Sequence, residues 1–542
     1  MTIDKAHILD LLRSFPFIND VVDKGENRSC WTIAIGFPIK EGEVLWFDMN
    51  VVSKVSPMKQ RGASPIKFVN KDLIAYPHIM NDGGLCLHTP DQISWDGRIY
   101  AEIEALHEWI EKYYVRGEKE EHYDDLVVEH LVTKDSMMQF YFTQLNAILP
   151  VGSYGEVLFT NLSKGISDGY TINNFIVQCV SWGNKIACGE WSKDYLAMEP
   201  HYKGLYVMLS GSPALYNKFA YRQYDELCGL CTDNQLNYIH RNLYGGDKYP
   251  FVFWGYKTPS GRLRWLVTCP TEDEHIIRGI KTRLNGETKY VPKLQPVELK
   301  CVYAEECSYD NYFGRGRFPD AIVNKKILIV GIGALGSAVA TTLTRCGARK
   351  IVLCDYDQKH PGNVCRSEYL FETGRTKKTN ELKQILSAIS PFVEVTEDTD
   401  MCNFKLHVSA GGKNAEPKLN EFDIVFDCSI DGELMWAIDQ VNTTAQIVNL
   451  SISNKANELV CAFSPGICDF VTRIYTDIIK RNERDLYNPE GCWSPTFKAS
   501  YNDVQVMLQY AMRYIVKMLC GEMNKANFMV KEIDEALCFI RW

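Results

Sequence analysis

"ILIVGIGALGSA", residues 327–338, is an aliphatic run that breaks into glycines at Gly331, Gly333 and Gly336. It reads as a buried strand turning tightly into a helix. Gly331 permits the turn, Gly333 lets the backbone approach a phosphate, and Gly336 lets the helix pack on the strand; Ser337 follows. The helix amino terminus then offers unpaired amides to anionic oxygen. Asp355 closes the next aliphatic run, "KIVLCDYD", where an acid can bind ribose hydroxyls. A ligand-free turn is the plain alternative for the glycines alone, and the acid at the second strand end favours a nucleotide.

Outward from this stretch the alternation continues. A helix is expected near 376–389. "FDIVFDCS" (422–429), "QIVNLSI" (446–452) and "ELVCAFSP" (458–465) read as further buried strands, ahead of a helix around 502–520. Residues 311–542 are therefore expected to be an α/β, Rossmann-like unit with a mainly parallel sheet.

The charges that follow the glycines decide what the nucleotide is for. "DYDQKHPGNVCRSEYLFETGRTKK" (355–378) sets Asp357, Asn363, Arg366 and Lys377 near the ribose position. A pyrophosphate held by helix amides needs little extra positive charge, so nicotinamide chemistry does not require this cluster. Attack on the α-phosphorus of a triphosphate does: cations stabilise the transition state and the departing pyrophosphate, and an acid holds magnesium. Asp427 and Asp431 supply such acids at another strand end. Each charge alone reads as a solvated loop position; together they point to ATP and Mg2+.

At 542 residues the chain exceeds one core, and about 150 residues per domain predicts three or four domains. The net charge of −9, without a long basic run, argues against nucleic acid or an anionic membrane as main partner. No apolar run approaches the ~20 residues of a membrane span. Nineteen cysteines without a framework, behind an amphipathic amino terminus that is no signal peptide, predict a cytoplasmic protein.

Residues 1–133 read as an α+β unit: a helix over 1–15, strands at 30–39, 43–52 and 66–70, an irregular stretch at 75–95, and a helix over about 99–114. Residues 134–310 read as a linker domain of mixed α/β structure with much strand and no chemical motif. "CGLC" (228–231) lacks a second well-spaced pair, so packed cysteines are favoured over zinc.

The carboxy-terminal region resembles the adenylating domain shared by ubiquitin-activating enzymes and the bacterial ThiF and MoeB proteins. The family's GxGxxGS loop matches Gly331, Gly333, Gly336 and Ser337, and its D-x-D matches Asp355 and Asp357. Its Asn and Arg match Asn363 and Arg366, and its G-[KR]-x-K element matches Gly374, Arg375 and Lys377. Its final acid pair matches Asp427 and Asp431, spaced D-x-x-x-D. The resemblance implies ATP and Mg2+ bound through these residues. It also implies catalytic roles for Arg366, Lys377 and Asp431, with Asp431 toward magnesium, an upstream arginine (Arg315 or Arg317), and a homodimer.

Cys492 lies in the Gly/Pro loop "EGCWSPTF" (490–497), which is similar to the G-C-x-x-P-T-F of bacterial activating enzymes fused to a conjugating module. That implies capture of the acyl group by Cys492, in place of the buried small hydrophobe expected of a cysteine taken at random. The amino-terminal order of helix, meander, loop and helix resembles ubiquitin-conjugating enzymes. "GGLCLH" (83–88) with Trp95 beyond it implies Cys86 as thioester acceptor. His78 stands where that family's His-Pro-Asn motif has its asparagine, Asn81 is displaced nearby, and His88 follows Cys86 by two residues.

The combination resembles the conjugating–activating fusion found with cyclic-oligonucleotide synthases (CD-NTases) in CBASS antiphage defence. It implies that a CD-NTase carboxy terminus is adenylated and passed through Cys492 and Cys86 to a target amine. Alternatives are a fusion serving a bacterial ubiquitin-like protein, a sulfur-carrier activator, a nicotinamide oxidoreductase, and a nucleotide-binding scaffold without transfer.

Overall fold

The computed structural model describes residues 4–542 apart from 28–29, 41, 120–124, 132–135, 168–169, 244–249, 271–274, 285–286, 399–414, 480–485 and 488–495. The glycine stretch lies in an eight-stranded sheet. Its order is Glu394–Glu397, Lys350–Cys354, Lys326–Val330, Ile424–Asp427, Gln446–Ser453, Glu458–Phe463, Phe528–Ile533 and Ala536–Arg541. The first five strands run parallel and the last three join antiparallel, so the sheet is mixed where a mainly parallel one was expected. Connection length accounts for the first reversal. Only residues 454–457 separate Ser453 from Glu458, and a parallel return needs a crossover of a dozen residues or more. Helices Ala334–Arg345 and Tyr501–Leu519 cover one face and Gly432–Asp439 and Ile467–Arg473 the other, burying Ile327, Ile329 and Leu353 against the first and Leu328, Val330 and Val352 against the second.

The amino-terminal region has its own core. Asp4 caps helix Lys5–Arg13 through the Ala6 N–H. Four antiparallel strands follow in sequential order, Asp20–Asn27, Cys30–Lys40, Glu43–Val52 and Ile66–Val69. The first was not expected, because "DVVDKGEN" is mostly exposed and lacks apolar alternation. Helix Trp95–Trp109, capped by Ser94 and prolonged by a wider turn over Ile110–Val115, lays Ile99, Ile103 and Leu106 on Ile33, Ile35, Phe47 and Met49.

The middle region is a barrel. Ser136–Phe142, Cys301–Glu306, Leu263–Thr268, Val252–Lys257, Tyr202–Met208, Tyr154–Ser167 and Tyr170–Trp182 pair in that order, and the last pairs back on the first. Strand Lys185–Cys188 extends from the long Tyr170–Trp182 strand. Phe140, Phe142, Phe159, Tyr206, Phe253 and Trp265 fill the interior.

Both neighbours are fastened to this barrel. On the carboxy-terminal side Trp191 stacks on Phe392 at 5.6 Å, the Tyr195 hydroxyl donates to the Ser387 carbonyl at 2.9 Å, and the Ser192 N–H donates to the Pro391 carbonyl at 2.8 Å. On the amino-terminal side Lys218 reaches the segment that precedes Cys86. Among the described residues no helix is long and apolar enough to cross a membrane.

Candidate functional site

Gly331 turns the chain at φ +75°, and a Cβ there would lie 2.4 Å from the Ser429 Cα. Gly333 differs. It is the amino cap of helix Ala334–Arg345, no side chain caps that helix, and a Cβ at Gly333 would meet nothing within 4 Å. Open space therefore faces first-turn N–H groups that the helix itself leaves unpaired. Two neighbours hold the loop in this shape. The Asp355 carboxylate accepts from the Ile332 N–H at 2.9 Å and from the Asp357 N–H at 2.8 Å. The Tyr369 hydroxyl donates to the Ile332 carbonyl at 2.6 Å, and burial pushes its pKa up, which keeps it a donor. Ser337 is fully buried, its hydroxyl donating to the Gly333 carbonyl at 2.7 Å, so the structure places it within the loop's own scaffold.

The charged segment 355–378 wraps this loop. Asn363 closes a short turn by accepting from the His360 N–H at 2.8 Å. Lys377 is exposed at the amino end of helix Lys378–Ile389. The next residue, Lys378, is buried, with its ammonium 2.8 Å from Asp357 and 4.0 Å from Asp355. Sequence reasoning missed Lys378, although it falls on one helical face with the buried Glu381 and Leu382. It also missed Lys359 and Glu381, each 2% exposed, which pair at 2.7 Å and tie the segment to the helix. There Glu381 accepts from the Leu370 N–H and the Thr376 hydroxyl, and Lys359 donates to the Leu370 carbonyl.

The two acids after the Ile424–Asp427 strand part company. Asp427 is 1% exposed and accepts from the Ser429 N–H, the Ser429 hydroxyl and the Asn449 amide. Burial pushes its pKa up, and these three contacts brace the strand end. Asp431 caps helix Gly432–Asp439, accepting from the Glu433 and Leu434 N–H groups at 2.9 and 3.2 Å. Both upstream arginines are exposed; Arg317 pairs with Asp320 and lies over the Tyr309 ring at 5.6 Å.

Cys492 lies outside the described residues. The strands that bracket its stretch, Leu486–Tyr487 and Thr496–Phe497, pair with each other. The guanidinium of Arg366 donates to the Phe497 carbonyl at 2.7 Å and sits 4.7 Å over the Phe497 ring. The structure thus joins Arg366 to the base of the segment that carries Cys492.

Cys86 and Cys365 are the exposed cysteines among the described residues. Cys86 follows the buried Gly83, Gly84 and Leu85, and its N–H donates to the His78 carbonyl at 2.8 Å. His78 sits at φ +60° with its Nε2 3.3 Å from the Tyr113 hydroxyl and its ring 6.4 Å from that of His88. Asn81 and His88 are exposed. Beyond the thiol, the fully buried Arg98 holds the return segment by donating to the Pro57 and Pro90 carbonyls at 2.7 and 3.1 Å and pairing with Glu102 at 3.3 Å.

Comparison with known proteins places this geometry. The chain is 24% identical over 230 residues to the ATP-dependent ubiquitin transferase-like protein Cap2 of Enterobacter hormaechei subsp. hoffmannii (strain UCI 50), a match covering 41% of this chain and 37% of that protein. It is 34% identical over 127 residues to ubiquitin-like modifier-activating enzyme 5 of Dictyostelium discoideum, covering 22% of this chain and 32% of the relative. The chain thus spans about a third of the length of these curated relatives. Among solved structures, E. coli MccB with ATP matches with a TM-score of 0.30 and 17% identity over 41% of this chain and 64% of that one. Residues 313–458 match the ThiF family model, and so the glycine loop, the charged wrap and the two acids belong to a ThiF-family domain.

Proposed function

We propose that this chain is an ATP-dependent protein ligase of the ubiquitin-activating and conjugating kind. Residues 311–542 adenylate a carboxy terminus, residues 134–310 are the linker, and residues 1–133 are the conjugating-like unit. The observation that carries the reading is the open, uncapped helix end at Gly333, beside Asp355, Asp357 and Lys378. ATP supplies the leaving group: a carboxylate oxygen attacks the α-phosphorus and pyrophosphate departs. The first-turn amides and Arg315, Arg366 and Lys377 are the groups assigned to the phosphates, and Asp355 and Asp357 to the ribose edge. Asp431 is the acid assigned to Mg2+, since Asp427 is sealed off.

The acyl group then leaves AMP for the Cys492 thiolate, passes to Cys86 by thioester exchange, and goes to a target amine. The similarity to Cap2 supports an ATP-dependent, ubiquitin transferase-like reaction; the cargo proposed for it is a CD-NTase carboxy terminus, in antiviral defence, handled by a cytoplasmic homodimer. A bacterial ubiquitin-like protein is the second reading of the cargo. With Mg-ATP and a CD-NTase as cargo, the protein is expected to form a covalent adduct that thiol reductant releases. The adduct is absent in Cys492→Ala and stops short of Cys86 in Cys86→Ala. Failure to release pyrophosphate or form an adduct with either class of cargo overturns the reading.

A further inference from the structure

We infer that Lys218, from a hairpin of the middle region, is a positioning residue for the loop that carries Cys86, an inference that rests on Cys86 being the acceptor thiol. Lys218 is 4% exposed, and its ammonium donates to the carbonyls of Ile74, Tyr76 and Ile79 at 2.7, 2.6 and 2.9 Å. An ammonium has three protons, and all three find acceptors within six residues of one segment.

That segment leads directly to the thiol. Between Tyr76 and Ile79 the carbonyls are also taken, Pro77 by the Trp109 indole N–H at 2.9 Å and His78 by the Cys86 N–H. Ile79 also bridges Leu85. The left-handed His78 therefore sits between two carbonyls fastened by Lys218, and its own carbonyl fixes the backbone of Cys86.

The donor is aimed with equal care. Lys218 ends the turn of a short hairpin, Ala214–Leu215 paired with Phe219–Ala220, whose preceding residues Tyr216 and Asn217 both have positive φ, 54° and 57°. Side chains disfavour that conformation, so the surroundings must hold it. Residues around Val127 do so, the Val127 N–H donating to the Lys218 carbonyl at 2.7 Å and the Ala220 N–H to the Val127 carbonyl at 3.0 Å.

Removing the ammonium strands three carbonyls at once, so the loop should loosen where it meets Cys86. The test uses the full chain with Lys218→Met and Lys218→Arg. Hydrogen exchange is followed over 76–87 and, as control, over the strands at 31–51. In parallel, a short glycine-ended peptide benzyl thioester loads Cys86 without ATP: the Cys86 thiolate displaces benzyl thiolate. Discharge to free lysine, whose amine takes the acyl group and returns the thiol, is then timed by mass spectrometry.

Lys218→Met is expected to quicken exchange over 76–87 at least tenfold with 31–51 unchanged, and to slow discharge at least tenfold. Lys218→Arg restores discharge to within about threefold. Exchange that stays unchanged, or rises equally over 31–51, overturns the inference, as does unchanged discharge from a loosened loop. If the unsubstituted protein never loads Cys86, the acceptor reading fails, while the exchange comparison still decides whether Lys218 holds the segment.

Discussion

Gly331 and Gly333 lie two residues apart and answer to different demands. Alanine at Gly331 would meet the Ser429 backbone in a left-handed conformation, which alone costs about 1–2 kcal/mol. Gly331→Ala is therefore expected to lower the melting temperature. At Gly333 an added methyl meets nothing within 4 Å. In Gly333→Ala that methyl enters the space in front of the helix, and ATP affinity should fall at least tenfold by calorimetric titration. Lys359 carries a different load. Lys359→Met leaves Glu381 buried without its cation and should cost about 3–5 kcal/mol in denaturant unfolding.

The acid limb reports the same pair. The Lys359 ammonium, the Thr376 hydroxyl and the Leu370 N–H hold Glu381 below its ordinary 4.5, against the opposing effect of burial. A lowered folded pKa contributes stability that is present above 4.5 and lost as pH falls below it. In Lys359→Met the first of those lowering contacts is lost, so the folded pKa moves up toward 4.5 and the stability gained above 4.5 shrinks. Stability against pH, measured on both proteins, is expected to fall less steeply below 4.5 in the variant. The candidate site residues legible in the sequence were those with a family pattern or an exposed polar loop: the glycines, Asp355, Arg366 and Cys86. Lys378, Lys359 and Lys218 were not, because a buried lysine looks like a surface one until its partners are placed.

At the scale of the element, helix Gly432–Asp439 offers a way to separate a cap from a catalytic acid. Asp431→Ala removes the cap and should cost about 0.5–2 kcal/mol. Asp431→Ser keeps a capping oxygen and should recover most of that stability. If Asp431 also serves the metal, pyrophosphate release stays low in both variants; recovery in the serine variant would leave Asp431 a cap alone. Elements were legible where burial imposes a period, as in Lys326–Val330, Cys30–Lys40, Glu43–Val52 and Tyr501–Leu519. Strand Asp20–Asn27 escaped because it packs little, and the antiparallel half of the large sheet escaped because apolar runs carry no direction. The barrel was readable as strand but not as a ring, since nothing local in Ser136–Phe142 names partners at 170–182 and 301–306.

For the whole molecule, the barrel is the shared neighbour of the amino-terminal and carboxy-terminal regions. Its seam with the carboxy-terminal sheet rests on Trp191, Tyr309, Phe313 and Phe392, all buried together. Phe392→Ala should remove about 3–5 kcal/mol from that seam. Scanning calorimetry is then expected to resolve two transitions where the unsubstituted protein shows greater overlap. An unchanged profile would mean that the seam does not couple the two bodies.

The ring of strands also carries a schedule. Ser136–Phe142 is held on one side by Tyr170–Trp182, made soon after it, and on the other by Cys301–Glu306, made more than 150 residues later. Closing so distant a pair bears a large loop entropy and is slow. During synthesis the amino-terminal region can fold as it emerges, while the edge of Ser136–Phe142 waits for the last strand. A nascent chain stalled before residue 301 should therefore show a protease-resistant amino-terminal region and an open, aggregation-prone barrel.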